Sequence, residues 1–174
     1  EQQIASLLPT AKIAPAVLQV ESHPFFGQGA LLEFCRSHHI IMEAYSPLAS
    51  GGRTPPDLNN EPNVPGVQPA AGFSIVPHPQ AQIHPVLLDI AQAHERSTAQ
   101  VAIAWQIQRG VVVIPKSVKA KRVAQNFDVF FGLSEDEAKR IGNLDVGLRL
   151  GWGGPKEEGQ PPRDAVHPLY PFSW

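Results

Sequence analysis

The sequence contains only one cysteine, Cys35, so an internal disulfide is excluded. It has no apolar run as long as the roughly 18 residues that a transmembrane helix needs, and no stretch typical of a secretory signal. Its charges nearly cancel, leaving a formal net charge of -2 over 174 residues. Such a balance gives no reason to expect binding to nucleic acid or to an anionic membrane. These absences predict a soluble, cytoplasmic protein with neither kind of partner.

What the sequence does contain is a strand, a basic loop and a helix start within one short stretch, Val111 to Asn126. Val111 to Ile114 are β-branched without interruption, which predicts a central parallel strand covered on both faces. Pro115 cannot donate to a sheet, so the strand should end there. Ser117 is then the candidate N-cap of a helix that runs through about Phe127.

The start of this helix is basic and has no acidic residue before Asp128. Its cations are Lys116, Lys119, Lys121 and Arg122. Cations at a helix N-terminus are unfavourable by roughly a few tenths of a kcal/mol each unless an anion lies between them, and the backbone N–H groups there also favour an anion. Arg122, Gln125 and Asn126 share one helix face, where a nucleotide base could lie. The pattern predicts a phosphate site, and a solvated basic helix end is the alternative that it leaves equally open.

Elsewhere, short apolar strands alternate with helices. The predicted elements are the end of a helix over Gln2–Leu8, strands over Ala16–Val20 and Ile40–Tyr45, and helices over Gln28–His38, Leu87–Glu95, Ser97–Arg109 and Ser134–Gly142. Capping boxes mark the starts of the last two helices, and Gly110 marks the end of one of them. Strands that alternate with helices predict βαβ units and a parallel sheet.

Two segments lack this periodicity. Residues 49–85 are rich in proline and glycine and are predicted to form a long loop insertion. Residues 146–174 form an irregular tail whose aromatic residues, including Trp152 and Trp174, are expected to wrap over an apolar surface. The sequence opens at Glu1 inside the predicted first helix with no capping residue, so we expect further sequence upstream.

Six segments of the sequence, taken in order, carry a family resemblance. They are H-P-F-F-G-Q (His23–Gln28), A-Y-S-P-L (Ala44–Leu48), A-Q-V-A-I-A-W-Q-I-Q-R-G (Ala99–Gly110), V-I-P-K-S (Val113–Ser117), Arg122 with Asn126, and Y-P-F (Tyr170–Phe172). Together they resemble the C-terminal half of an aldo-keto reductase. That family folds as a (β/α)8 TIM barrel and reduces aldehydes and ketones with NADPH, without a metal. The resemblance implies that residues 1–174 are the C-terminal part of such an α/β barrel, strands 6 to 8 with their helices.

The resemblance also implies NADP(H) as the cofactor, and it favours the nucleotide interpretation of the basic helix. Gln19, the one polar residue of its apolar strand, would contact the nicotinamide carboxamide, and Tyr45 would stack on the nicotinamide ring. The remaining implied contacts are Ser46, Leu48 and Ser50 along the pyrophosphate, Lys116, Ser117, Val118 and Arg122 around the 2′-phosphate, and Gln125 and Asn126 at adenine.

The family's catalytic aspartate, tyrosine, lysine and histidine lie on the first four strands, and this sequence has no counterpart of them. The resemblance therefore implies the cofactor-binding half of an enzyme that reduces a small-molecule carbonyl substrate, inactive without its N-terminal half. The alternative is a non-catalytic half-barrel that serves as a nucleotide-binding or assembly module. Three parallel strands cannot close a barrel and leave two open edges, so either the missing N-terminal half of the barrel exists elsewhere or the fold is marginal.

Overall fold

The computed structural model of the protein describes residues 1–49 and 84–147. Their elements are three strands, β1 (Val17–Glu21), β2 (Ile41–Tyr45) and β3 (Val112–Val113), and six helices, α1 (Gln2–Leu7), α2 (Gly29–Ser37), α3 (Pro85–Ala93), α4 (Thr98–Gln108), α5 (Ala120–Phe127) and α6 (Glu135–Gly142). The predicted loop insertion at 49–85 and the tail at 146–174 lie almost wholly outside the described residues, as does Ser50. Among the described helices, none is both long and apolar enough to cross a membrane.

The three strands form one parallel sheet in the order β1–β2–β3, which confirms the predicted parallel arrangement. In the register of β1 against β2, Gln19 lies opposite Glu43, and Glu21 lies opposite Tyr45. Glu43 in turn lies opposite Val112 of β3. Because the strands are parallel, their carboxyl ends share one edge of the sheet, which is where open α/β sheets and barrels bind ligands.

One face of the sheet is covered by helices. Met42 and Ala44 of β2 are buried and pack with Leu32 of α2 and with Val111, forming an apolar core. Cys35, also on α2, is fully buried. Burial raises the pKa of its thiol above the ordinary value, so the reactive thiolate is disfavoured. The described residues of this face therefore stabilise the chain, and the thiol among them is held in its unreactive form.

The opposite face of the sheet is half exposed to solvent in the described structure. Its side chains alternate with the buried ones, and its large apolar members are between 42% and 50% exposed. We call it the open face, and before the carboxyl edge of the sheet its residues are Val17, Gln19, Ile41, Glu43, Val112 and Ile114. At that edge the same side continues with the half-buried Tyr45 and the buried Glu21. The prediction of a strand covered on both faces at Val111 to Ile114 is therefore wrong for the described residues. β3 lies at the edge of this sheet, and the helices pack against one side of it.

A second apolar core joins α3, α4 and α6. Leu87, Val101, Trp105 and Ile141 are among its buried residues. Trp105 Nε1 also donates a hydrogen bond to the Ala138 carbonyl oxygen, 3.1 Å away. The core thus anchors α4, the helix that leads directly into β3.

Both predicted capping boxes are confirmed. Ser97 and Gln100 exchange hydrogen bonds at the start of α4, and Ser134 and Glu137 do so at the start of α6. Gly110 follows α4 with a φ of 73°, a left-handed conformation that favours glycine and ends the helix as predicted. These local signals position the strand and the basic segment that follow.

Candidate functional site

The two residues predicted to contact nicotinamide lie on neighbouring strands of the sheet. Gln19 is exposed on the open face, and its Nε2 donates to Glu43 Oε1 at 2.5 Å. Tyr45 is half-buried at the last position of β2, opposite the buried Glu21 of β1. Gln19 and Tyr45 thus belong to one face, and Glu43 is a neighbour of both. No sequence pattern indicated Glu43, because its pairing depends on the register of the two strands.

A tight turn follows β2 at the carboxyl edge of the sheet. Ser46 and Ala49 have φ angles of 49° and 53°, and Ala49 N donates to the Ser46 carbonyl oxygen at 3.0 Å. Left-handed backbone at a residue other than glycine costs about 1–2 kcal/mol, and such local strain is typical of functional sites. Leu48 lies in the same turn and is half-buried. Ser46 and Leu48 are therefore held together just beyond Tyr45, while the predicted contact Ser50 lies outside the described residues.

The basic segment after β3 begins differently from the prediction. Ser117 is not the N-cap of α5, because its Oγ accepts a hydrogen bond from Lys119 N at 3.2 Å and closes a short turn before the helix. Lys119 is the N-cap residue, and in the described structure its side chain makes no capping bond. The first turn of α5 also contains no acid. Its first N–H groups are therefore available to water or to an anion.

A cavity of about 610 Å³ lies between β3 and α5. Three of the predicted contacts line it, namely Lys116, Ser117 and Asn126. The rest of its wall is apolar: Ile107, Val113, Ile114, Pro115, Val123, Phe127, Val129 and Phe130. Pockets of about 300–1,000 Å³ with apolar walls and a few polar groups are typical of small-molecule sites. The cavity therefore has the size and chemistry for part of a nucleotide.

The other predicted contacts of this segment do not line the cavity. Val118 and Arg122 are exposed, and Gln125 is half-buried next to the cavity-lining Asn126. Phe127, on the wall of the cavity, is 80% exposed. An exposed aromatic ring on α5 suits stacking with a flat ligand, and the cations on the same helix suit an anion. The residues of α5 could thus contact a ligand that extends out of the cavity.

A buried polar cluster that the sequence patterns did not indicate lies at the carboxyl end of β1. Glu21, Ser22 and His23 are at most 1% exposed, as is Gln106 of α4. Gln106 Nε2 donates to Ser22 Oγ at 2.9 Å, and His23 Nε2 lies 3.1 Å from Glu21 Oε1. His23 Nδ1 is the one buried side-chain nitrogen or oxygen of the described residues that has no hydrogen-bond partner. The signal that could have revealed the cluster is the run of polar residues straight after an apolar strand.

A network of contacts around Arg109 links the turn after β1 to α4 and, through Gly27, to the residues that follow α6. Its Nη2 donates to the Gly27 carbonyl oxygen at 2.7 Å, and its guanidinium stacks over the Trp105 ring at 4.1 Å. Gly27 N donates in turn to Asp145 Oδ2 at 3.0 Å. Burial, and secondarily the charge of Arg36, lowers the pKa of Arg109, yet a guanidinium stays protonated at neutral pH. The network fixes the backbone that follows β1 and so supports that end of the strand.

The sequence model of the Aldo/keto reductase family matches residues 2–146. The chain belongs to this family. Its relatives include aldo-keto reductase family 1 member A1 of Sus scrofa and of Homo sapiens, which are 38% and 37% identical to it over 174 residues. The match covers 99% of this chain but 48% of each relative, so this aldo-keto reductase chain spans about half the length of the curated relatives it matches.

The fold of the chain also resembles solved structures. The crystal structure of Gox0644 in its apo form superposes with a TM-score of 0.67 at 32% identity, over 87% of this chain and 46% of that one. The crystal structure of MGS-M4, an aldo-keto reductase enzyme from a Medee basin deep-sea metagenome library, gives 0.66 at 33% identity, over 86% and 46%. The parallel sheet and its helices thus match about half of an aldo-keto reductase barrel chain.

Proposed function

We propose that this chain is the cofactor-binding, C-terminal half of an NADPH-dependent oxidoreductase that reduces aldehydes or ketones to alcohols. The observation that carries the proposal is the cavity between β3 and α5, where Lys116, Ser117 and Asn126 meet on an apolar wall. Membership of the aldo-keto reductase family supports the chemistry. The catalytic residues would belong to the other half of the barrel.

The 2′-phosphate of the cofactor would lie at the start of α5. Lys116, Lys119 and Arg122 supply positive charge there, and the uncapped N–H groups of the helix attract the same anion. Asn126 and the apolar wall of the cavity would receive the adenine ring. NADH has a hydroxyl in place of this phosphate. We therefore expect NADPH to bind at least roughly tenfold more tightly, a difference of about 1.4 kcal/mol.

The nicotinamide end of the cofactor would lie at the carboxyl edge of β1 and β2. Tyr45 offers an aromatic face on which the ring can stack, and Gln19 offers an amide for the carboxamide. Ser46 and Leu48, in the strained turn after β2, would lie along the pyrophosphate. Active sites of (β/α)8 barrels lie at this edge of the sheet. One edge of this chain could therefore hold both ends of the cofactor.

When bound, NADPH supplies the hydride that the carbonyl carbon accepts. The residues of this chain would hold the cofactor against the substrate. Such positioning alone can lower the activation barrier of hydride transfer by roughly several kcal/mol. The carbonyl oxygen must also gain a proton from a donor beside it. Tyr45 is the only tyrosine among the described residues, and stacking occupies its ring, so the proton donor would come from the other half.

That other half of the barrel would also cover the open face. Its apolar side chains Val17, Ile41, Val112 and Ile114 are half exposed, and β1 and β3 are edge strands in the described sheet. Exposed apolar faces and sheet edges promote aggregation unless something covers them. Because the chain spans about half the length of its relatives, a second half-barrel is the partner that fits both the face and the edges.

Titration of the chain with NADPH and with NADH tests the proposed function. We expect Lys116→Ala to remove most of the preference for NADPH while changing the NADH affinity little. Lys139→Ala, on the exposed surface of α6, is the matched control and should leave both affinities unchanged. Equal binding of the two cofactors, or binding of neither, would contradict the proposal and favour a non-catalytic half-barrel used in assembly.

A further inference from the structure

Glu43 is a carboxylate in the middle of β2, on a sheet face whose other residues are largely apolar. Its Oε1 accepts a hydrogen bond from Gln19 Nε2 at 2.5 Å, and Val112 lies opposite it in β3. Strands of parallel sheets are ordinarily apolar along their length, so packing gives no reason for a charge at this position. A carboxylate that loses hydration is also costly unless it is paired. The position of Glu43 therefore calls for a functional explanation.

The hydrogen bond between Gln19 and Glu43 fixes the direction of the Gln19 amide. An ionised carboxylate can only accept hydrogen bonds, so the amide must present its NH2 group to Glu43. The amide oxygen, Oε1 of Gln19, is then the group that can accept from a ligand. The carboxamide of nicotinamide carries an NH2 donor, which is the complementary group.

Glu43 also brings a negative charge close to the proposed nicotinamide position. It lies two residues before Tyr45 on the same face of β2, a spacing of roughly 6.6 Å along a strand. The nicotinamide ring is neutral in NADPH and positively charged in NADP⁺. A carboxylate near it attracts the charged ring and not the neutral one, with a strength that surrounding water reduces.

We infer that Glu43 is a positioning and specificity residue of the nicotinamide site, which orients the Gln19 amide toward the carboxamide and tightens the binding of NADP⁺ relative to NADPH. This role rests on the proposed function and adds to it, because it assigns the redox preference of the bound cofactor to a residue of this chain. A residue that only stabilised the sheet would affect the two cofactor forms equally.

The test compares Glu43→Gln with the wild-type chain in titrations with NADP⁺ and with NADPH. Glutamine keeps the size of the side chain and an acceptor oxygen for Gln19 but removes the charge. We expect the affinity for NADP⁺ to fall roughly two- to fivefold, the effect of a partly solvated charge pair, while the NADPH affinity stays the same, so that the ratio of the two affinities changes. Glu43→Asp, which keeps the charge, should retain the wild-type ratio of the two affinities.

Glu33→Gln is the control for net charge, because it removes one negative charge from the exposed surface of α2. It should leave the ratio of the two affinities unchanged. An unchanged ratio in Glu43→Gln, whether both affinities fall equally or neither falls, would overturn the role of Glu43 without contradicting the cofactor site. Binding of neither form by the wild-type chain would overturn the proposed function and the role of Glu43 together.

Discussion

The two faces of the sheet are built from the same strands but have different neighbours: helices cover one face, and solvent reaches the other. On the helix-covered face, Met42 is 1% exposed and packs with Leu32 of α2. On the open face, the preceding residue, Ile41, is 50% exposed, and Glu43 pairs with Gln19. Side chains that alternate along β2 therefore have two kinds of surroundings. One set packs against the helices of this chain, and the other is the set that the proposed cofactor and second half-barrel would contact.

This difference separates the sources of stability from the sources of function. One apolar core lies between the sheet and α2, and the other joins α3, α4 and α6. The helices α4 and α6 each begin with a complete capping box. The open face contains half-exposed apolar side chains and a polar pair. Substitutions on the helix-covered face and in the two cores should therefore change the free energy of unfolding, while substitutions on the open face should change cofactor binding.

The largest effect on stability is expected from Met42→Ala, on the helix-covered face. Removal of a buried methionine side chain leaves a cavity, so the free energy of unfolding should fall by about 2–5 kcal/mol. Ile41→Ala, one residue earlier on the open face, should cost about 1 kcal/mol or less because its side chain is already half in water. Urea denaturation measures both values. Similar losses of unfolding free energy at the two positions would mean that the open face is packed as well. The proposed difference between the two faces would then be wrong.

A smaller and pH-dependent effect is expected from Glu137→Gln at the start of α6. Burial alone would raise the pKa of Glu137, but hydrogen bonds from Ser134 and His94 outweigh it and hold the pKa below the ordinary value. A lowered pKa in the folded state gives stability that is present above the ordinary value of 4.5 and is lost as the pH falls through the folded-state pKa. We expect the variant to lose about 1 kcal/mol at neutral pH and to show a shallower loss of stability in acid.

Glu43→Gln is the matched charge removal on the open face. It should change the free energy of unfolding at neutral pH by less than about 0.5 kcal/mol, because the pair that it alters is partly solvated. Urea denaturation at neutral and acidic pH compares the two variants. A Glu137→Gln protein with the acid profile of the wild type would show that the capping box of α6 does not contribute the stability assigned to it.

Local signals predicted several element boundaries because they depend on neighbouring residues. Hydroxyl and amide or carboxylate groups three residues apart marked the starts of α4 and α6, and Gly110 marked the end of α4. The start of α5 was predicted too early. Ser117 Oγ bonds the N–H of Lys119, the second residue after it, which gives a turn instead of a cap. A serine before a helical pattern suits both geometries, so the pattern could not separate them.

Local sequence signals could not predict contacts between residues that are far apart in the chain. Ser22 and Gln106 are 84 residues apart, and Gln19 meets Glu43 only through the register of β1 against β2. The exposure of Val112 depends on what covers the open face, which the strand itself does not encode. The cofactor contacts were inferred from family resemblance, and they stay predictions until binding is measured.

The proposed cofactor site is tested most directly by asking whether this chain recognises a 2′-phosphate. Adenosine 2′,5′-bisphosphate has the adenine and the 2′-phosphate but no nicotinamide, so it needs only the cavity between β3 and α5. Adenosine 5′-diphosphate has the same number of phosphates, none of them at the 2′ position. In calorimetric titrations we expect the 2′,5′ compound to bind at least roughly tenfold more tightly, because Lys116 and the start of α5 meet its 2′-phosphate. Equal affinities for the two compounds would contradict the proposed site.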